Sequence, residues 1–233
     1  MSNIEEKRLI EILISLELAL SRAIVPSLWA VTFDWTEDTI LLYFFSDGEV
    51  SEDDREESEI VATETSIGFN DFPYLHSEFI NIHNPEKLPS YGKEIVFARE
   101  EAKNKWPISE FLKKKCNRAN LIGDWVTKST NRLMITINYA LLGRVTAALR
   151  AVTCDLEADA LRMYYFFDGE ISESNRTNAE EVSAIVLQEL KELTSIKTVC
   201  IRADAPALLP LFGKDSFGYV RRDAGFEYDT EGK

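Results

Sequence analysis

Carboxylates are the side chains of this 233-residue sequence that recur in a pattern able to do chemistry. Asp34, Asp38, Asp47, Glu49 and Glu52 return at the same spacing, 121 residues later, as Asp155, Asp159, Asp168, Glu170 and Glu173. Such groups can form a general acid and base or hold a divalent cation. Histidine offers less. His76 and His83 fall on Lys197 and Asp204 under the same period, so a triad or metal site built on them would exist in one copy only. Cys116, Cys154 and Cys200 are odd in number, and the period maps Cys154 to Phe33 and Cys200 to Phe79. A position that takes Phe or Cys is an apolar core position, which predicts buried, reduced thiols in place of a disulfide or zinc site. The sequence contains no Walker loop, no G-x-G-x-x-G and no G-x-S-x-G. The expectation is a protein that is not an enzyme and uses no cofactor or metal.

The carboxylates belong to a longer repeat. YFFSDGEVSEDDR, from Tyr43 to Arg55, returns as YYFFDGEISESNR, from Tyr164 to Arg176. A period of 121 residues is a duplicated domain, not a solenoid unit. Residues 1–100 form the first module, 101–132 a basic linker with a helix starting at Ser109, 133–223 the second module and 224–233 a polar tail. Leu9, Leu13, Leu16 and Leu20 at helical spacing predict a first helix from Leu9 to Arg22, matched by Leu133, Ile137 and Leu141. Glu11 and Glu17 lie off that apolar line. A hairpin follows, Ser27 to Trp35 and then Ile40 to Phe45, with Trp29, Val31 and Phe33 expected on one face. The unbroken apolar run from Ile40 to Phe45 asks for cover on both faces, as in a central strand.

Asp47-Gly48 then makes a turn, and Ser51 caps a helix with Asp54 three positions on. Turn and capping chemistry thus accounts for most of the repeated D-G-E-[VI]-S-E motif. The second helix runs from Glu52 to Ile67, and from Glu173 to Leu193 with Ala179, Val182, Val186 and Leu190 as its apolar stripe. Third strands are predicted at Ser77 to His83 and Lys197 to Ala203, and fourth strands at Glu94 to Arg99 and Asp215 to Val220, after the loops Pro85 to Lys93 and Pro206 to Lys214. The fold class expected is α+β: two tandem α-β-β-α-β-β modules, each a small, mainly antiparallel sheet with two helices packed on it.

Charge narrows the function. The net charge is −14, with 21 acids against 7 bases in residues 1–100, 3 against 8 in 101–132 and 16 against 11 in 133–233. Neither module has the basic surface that nucleic acid requires. A negative face does speed encounter with a basic protein partner. The apolar run from Leu9 to Val31 is interrupted by Glu11, Glu17 and Arg22, and Glu5-Glu6 precede it, so a buried helix of a cytoplasmic protein is expected and not a signal or membrane span.

The paired segments Tyr43 to Glu52 and Tyr164 to Glu173, each closing a hairpin and opening a helix, resemble small bacterial proteins of the toxin-immunity kind, including those paired with contact-dependent growth-inhibition toxins. The resemblance covers both modules. It implies a cytoplasmic protein that neutralises a toxin domain, often a nuclease with a basic active site, by binding it. The residues expected at that contact are Glu52, Asp53, Asp54, Glu56, Glu57 and Glu59, six acids within eight positions. The second copy has Glu173, Ser174, Asn175, Thr177, Asn178 and Glu180 there, and capping alone would have kept the acids in both. The alternatives are a tandem scaffold bridging identical partners, and a small-ligand or orphan enzyme module that uses the turn carboxylates.

Overall fold

A computed structural model describes residues 3–20, 23–67, 74–82, 94–102, 129–210, 216–222 and 224–225. In the first module α1 (Asn3–Leu20) precedes the hairpin β1 (Leu28–Trp35) and β2 (Thr39–Ser46). Then come α2 (Glu52–Ile67), β3 (Tyr74–Asn81), β4 (Glu94–Ala98) and a 3-10 turn at Glu100–Ala102. The second module repeats this as α3 (Ser129–Leu141), β5 (Leu149–Glu157), β6 (Ala160–Phe167), α4 (Glu173–Glu189), β7 (Ser195–Arg202) and β8 (Ser216–Val220). The expected linker helix from Ser109, the loop Pro85 to Lys93 and most of the polar tail lie outside the described residues.

Each sheet has four strands, in the order β3-β2-β1-β4 and β7-β6-β5-β8. β1 pairs antiparallel with both β2 and β4. β3 instead runs parallel to β2, because α2 carries the chain back over the sheet before β3 begins. The sheets are α+β as expected and mixed, with one parallel pair in each. The third strands start earlier than the sequence suggests, at Tyr74 and Ser195, since pairing with β2 and β6 sets their ends.

The apolar stripes of the helices bury as their spacing requires. Leu9, Leu13, Leu16 and Leu20 of α1 pack with Val31, Phe33, Ile40, Leu42 and Phe44 in one core, which continues into the second module through Leu133, Ile137 and Leu141. The opposite sheet face carries a smaller cluster, Ala30, Phe45 and Ile95 with Trp29 and Tyr43. Trp29 joins that second face, apart from Val31 and Phe33, because a bulge between Leu28 and Ala30 shifts the register there. Its counterpart in the same bulge is Arg150, fully buried, whose Nη1 donates to the carbonyls of Ala203 and Ala207 at 2.8 and 3.0 Å.

Phe33 and Cys154 are both buried at equivalent places, whereas Phe79 and Cys200 are only half-buried. The expectation of a buried Cys200 is therefore corrected: β7 is an edge strand, and its side chains have neighbours on one flank only. Cys154 and Cys200 are free thiols, burial pushes that of Cys200 above its ordinary pKa, and Cys116 lies outside the described residues. Glu17, which lies off the apolar line of α1, is also buried, at 6% exposure.

The period changes by one residue along the chain. Ala30 and Val31 pair with Ala98 and Phe97, while Ala151 and Val152 pair with Val220 and Tyr219, so β8 stands 122 residues after β4. Arg99 is thus the counterpart of Arg221. Both guanidiniums do the same work, donating at 2.7 Å to the carbonyl of Pro26 or of Ala147.

Candidate functional site

The turn that opens α2 is built as its sequence dictates. Gly48 and Gly169 take φ of +86° and +78°, the left-handed region that a side chain would strain. Ser51 Oγ accepts from the Asp54 amide and Ser172 Oγ from the Asn175 amide, each at 3.1 Å, which satisfies an amide that the first turn leaves open. Glu52, Asp53 and Asp54 then lie at the positive end of the helix dipole.

Ser58, Val61, Ala62 and Thr65 form the buried stripe of α2. At 100° per residue the opposite face carries Glu52, Asp53, Glu56, Glu59, Ile60, Thr63 and Glu64, all exposed. Four of the six expected contact residues, Glu52, Asp53, Glu56 and Glu59, therefore share one solvent face. Glu57 is half-buried at its edge. Asp54 points away from it, to the other module, where its Oδ1 accepts from Arg222 Nη1 at 2.9 Å. Ile60, 49% exposed among these acids, was not legible as a contact residue, although an apolar residue interrupting an acidic face is itself the signal.

The second module fills the same place differently. Glu181 stands where the first module has Ile60, and it is held by Arg144 at 3.0 Å. The counterpart of Arg144 is Ala23, so the first module has no ion pair there and leaves an apolar side chain exposed.

Of the repeated turn carboxylates, Asp34 and Asp38 are engaged within their own turn, and Asp168 by later segments of its module. Asp34 Oδ1 accepts from the next amide, that of Trp35, at 2.7 Å. Asp38 accepts from the hydroxyls of Thr39 and Thr36, which hold its carboxyl below the usual range. Asp168 Oδ1 accepts from the Ala205 amide at 3.0 Å, and its other oxygen lies 3.6 Å from Arg221. Asp204 accepts from Arg202 and the Gly169 amide, both of which lower its pKa. Among the described residues no three His, Cys, Asp or Glu side chains group to hold a metal ion. His76 sits on β3 beside Leu41.

The family model for the MafI2 immunity protein matches residues 10–101 and again 130–223. The chain belongs to the MafI2 immunity protein family. Each match spans one module, so the family's unit is the single α-β-β-α-β-β domain and this chain carries it twice. No curated protein matches the chain. Among the solved structures similar to it are two of CdsD, a structural protein of the type III secretion system of Chlamydia trachomatis. One is 12% identical, with 81% of this chain and 91% of that chain covered and a TM-score of 0.22. The other, the C-terminal domain, is 11% identical, with 80% and 96% covered and a TM-score of 0.20. Likenesses at these scores carry no weight for function. Among the described residues of this MafI2 family member, no helix is long and apolar enough to cross a membrane.

Proposed function

We propose that this MafI2 family member is a cytoplasmic immunity protein that neutralises a toxin domain by binding it, without catalysis, and that the solvent face of α2 makes the principal contact. The observation that carries the reading is the asymmetry between the copies. Family membership gives an immunity role to a two-module chain, and only the first module presents Glu52, Asp53, Glu56 and Glu59 around an exposed Ile60. An apolar anchor ringed by charge is the usual anatomy of a protein contact, the anchor slowing release and the ring steering approach. The sign of the ring selects a basic partner, such as a nuclease whose active site must grip phosphate.

The scaffold alternative needs two like faces, and α4 keeps Glu173 and Glu180 but has Ser174 and Thr177 for the other two acids and replaces the anchor with Glu181 bound to Arg144. The small-ligand alternative would use the turn carboxylates, of which Asp34, Asp38 and Asp168 already hold amides and hydroxyls of their own chain.

The test is co-purification from the native cell, followed by association kinetics with the partner recovered. A stable basic partner encoded next to this chain supports the reading. Recovery of none, or of an acidic one, overturns it.

A further inference from the structure

The two modules meet through contacts that occur twice. The amide of Arg222 donates to the Ile24 carbonyl at 2.9 Å, and the amide of Glu100 donates to the Val145 carbonyl at 2.9 Å. These four residues are counterparts, Ile24 of Val145 and Glu100 of Arg222. The isolated parallel bridges Ile24 to Arg221 and Val145 to Arg99 repeat the relation. Between the modules lies a cavity of about 30 Å³ whose walls also come in pairs, Glu17 with Asn138, Leu20 with Leu141 and Phe97 with Tyr219. Residue i touching j while the counterpart of j touches the counterpart of i is the signature of a two-fold, isologous interface. Within this single chain the two modules are thus paired about a pseudo-two-fold axis.

We propose that this junction is a self-complementary binding surface made selective by charge, so that the second module can bind a second copy of itself through it and the first module cannot. The selection is readable in the pairs. In a first-to-first pairing, Glu17 would share the small cavity with another Glu17, and two carboxylates so close cannot both ionise. Glu100 would also lie beside the acids that open α2 on both sides of the axis, since it now lies 3.5 Å from Ser174 Oγ at the matching start of α4. Second-to-second pairing meets neither obstacle. Asn138 would face Asn138, and amides can donate and accept mutually. Arg222 would face the start of α4, with Ser174 and Asn175 in place of acids. The native pairing goes further and gains the Arg222–Asp54 ion pair. The duplicated surface thus keeps its two-fold shape and uses like charge against one of the three pairings.

The experiment starts from the full chain, carrying an inserted protease site between residues 102 and 129 and a different tag at each end, cut to completion after folding. The cut halves should co-elute at the mass of the intact chain. After exchange through partial unfolding and refolding, native mass spectrometry should show first-to-second pairs in majority, second-to-second pairs present, and first-to-first pairs at least about tenfold rarer than second-to-second. Replacing the first half's residues by their counterparts, Glu17→Asn, Asp54→Asn and Glu100→Arg, should raise first-to-first pairs to the second-to-second level. The surface pair Asp54→Asn and Glu100→Arg alone, which leaves the buried position intact, should raise them partway. Halves that separate at micromolar concentration, no second-to-second pairs, or first-to-first pairs as common as second-to-second before any substitution would each overturn the proposal.

Discussion

Arg222 Nη1 donates to Asp54 Oδ1 at 2.9 Å, tying the residue two places past the end of β8 to the first turn of α2 in the other module. The pair is partly solvated, with side chains 36% and 22% exposed, so its coupling should be about 0.5 kcal/mol. A cycle of Arg222→Gln, Asp54→Asn and the double variant, read from urea midpoints, should return that coupling and lose it at high salt. Zero coupling at low salt would mean that the junction does not use this bond. Because Asp54 is turned to the junction, Asp54→Asn should leave partner association nearly unchanged.

The solvent face of α2 gives the opposite expectation. Asp53→Ser with Glu56→Thr, the residues of the second copy, should slow association with the proposed basic partner and flatten its salt dependence, the mark of lost steering. Ile60→Ser should instead speed dissociation, with about a tenfold or greater loss of affinity and little change in on-rate. Stopped-flow mixing at two salt concentrations separates the two. An on-rate indifferent to the acids at low salt would remove α2 from the contact.

Tyr165 lies 1% exposed beneath α4, its hydroxyl 3.0 Å from Ser183 Oγ. Burial pushes its phenol well above the ordinary value of 10.0. The sign follows from proton linkage: above about pH 10 the unfolded chain releases a proton that the folded chain keeps. The stabilisation is fully present below that pH and is lost as pH rises past it. Tyr165→Phe should cost about 1 kcal/mol at neutral pH through the lost hydrogen bond. It should also make the fall in stability above pH 10 shallower. Parallel urea-midpoint curves for the two proteins between pH 7 and 11 would contradict the assignment.

Gly218 of β8 has no room for a side chain, since a Cβ there would meet Ile137 Cγ2 of α3. Gly218→Ala should cost about 1–3 kcal/mol by overpacking. The counterparts in the first module are Val96 and Leu16, where the strand residue is larger and the helix residue is not β-branched. Ile137→Leu combined with Gly218→Ala should therefore recover most of the loss in a thermal melt. No recovery would place the strain elsewhere.

Local pattern by itself determined much of this protein. Helical spacing named Leu9, Leu13, Leu16 and Leu20 as core, and D-G-E-[VI]-S-E named the turn glycines and the caps Ser51 and Ser172, because each depends on residues within about one turn of one another. The duplication gave two modules, and the acidic run of α2 was visible as a run. What the tertiary structure decided are relations between distant segments. Register alone equates Arg99 with Arg221, because one extra residue before β8 is invisible until the strand pairs with β5. A bulge moves Trp29 to the second sheet face, and its counterpart Arg150 is buried under carbonyls more than fifty residues away. The junction uses Asp54, which helical spacing sets on the Ser58 side of α2, for an ion pair, and it buries Glu17, which lies off the apolar line of α1. Burial follows from what packs against a face, and a linear pattern records only the face.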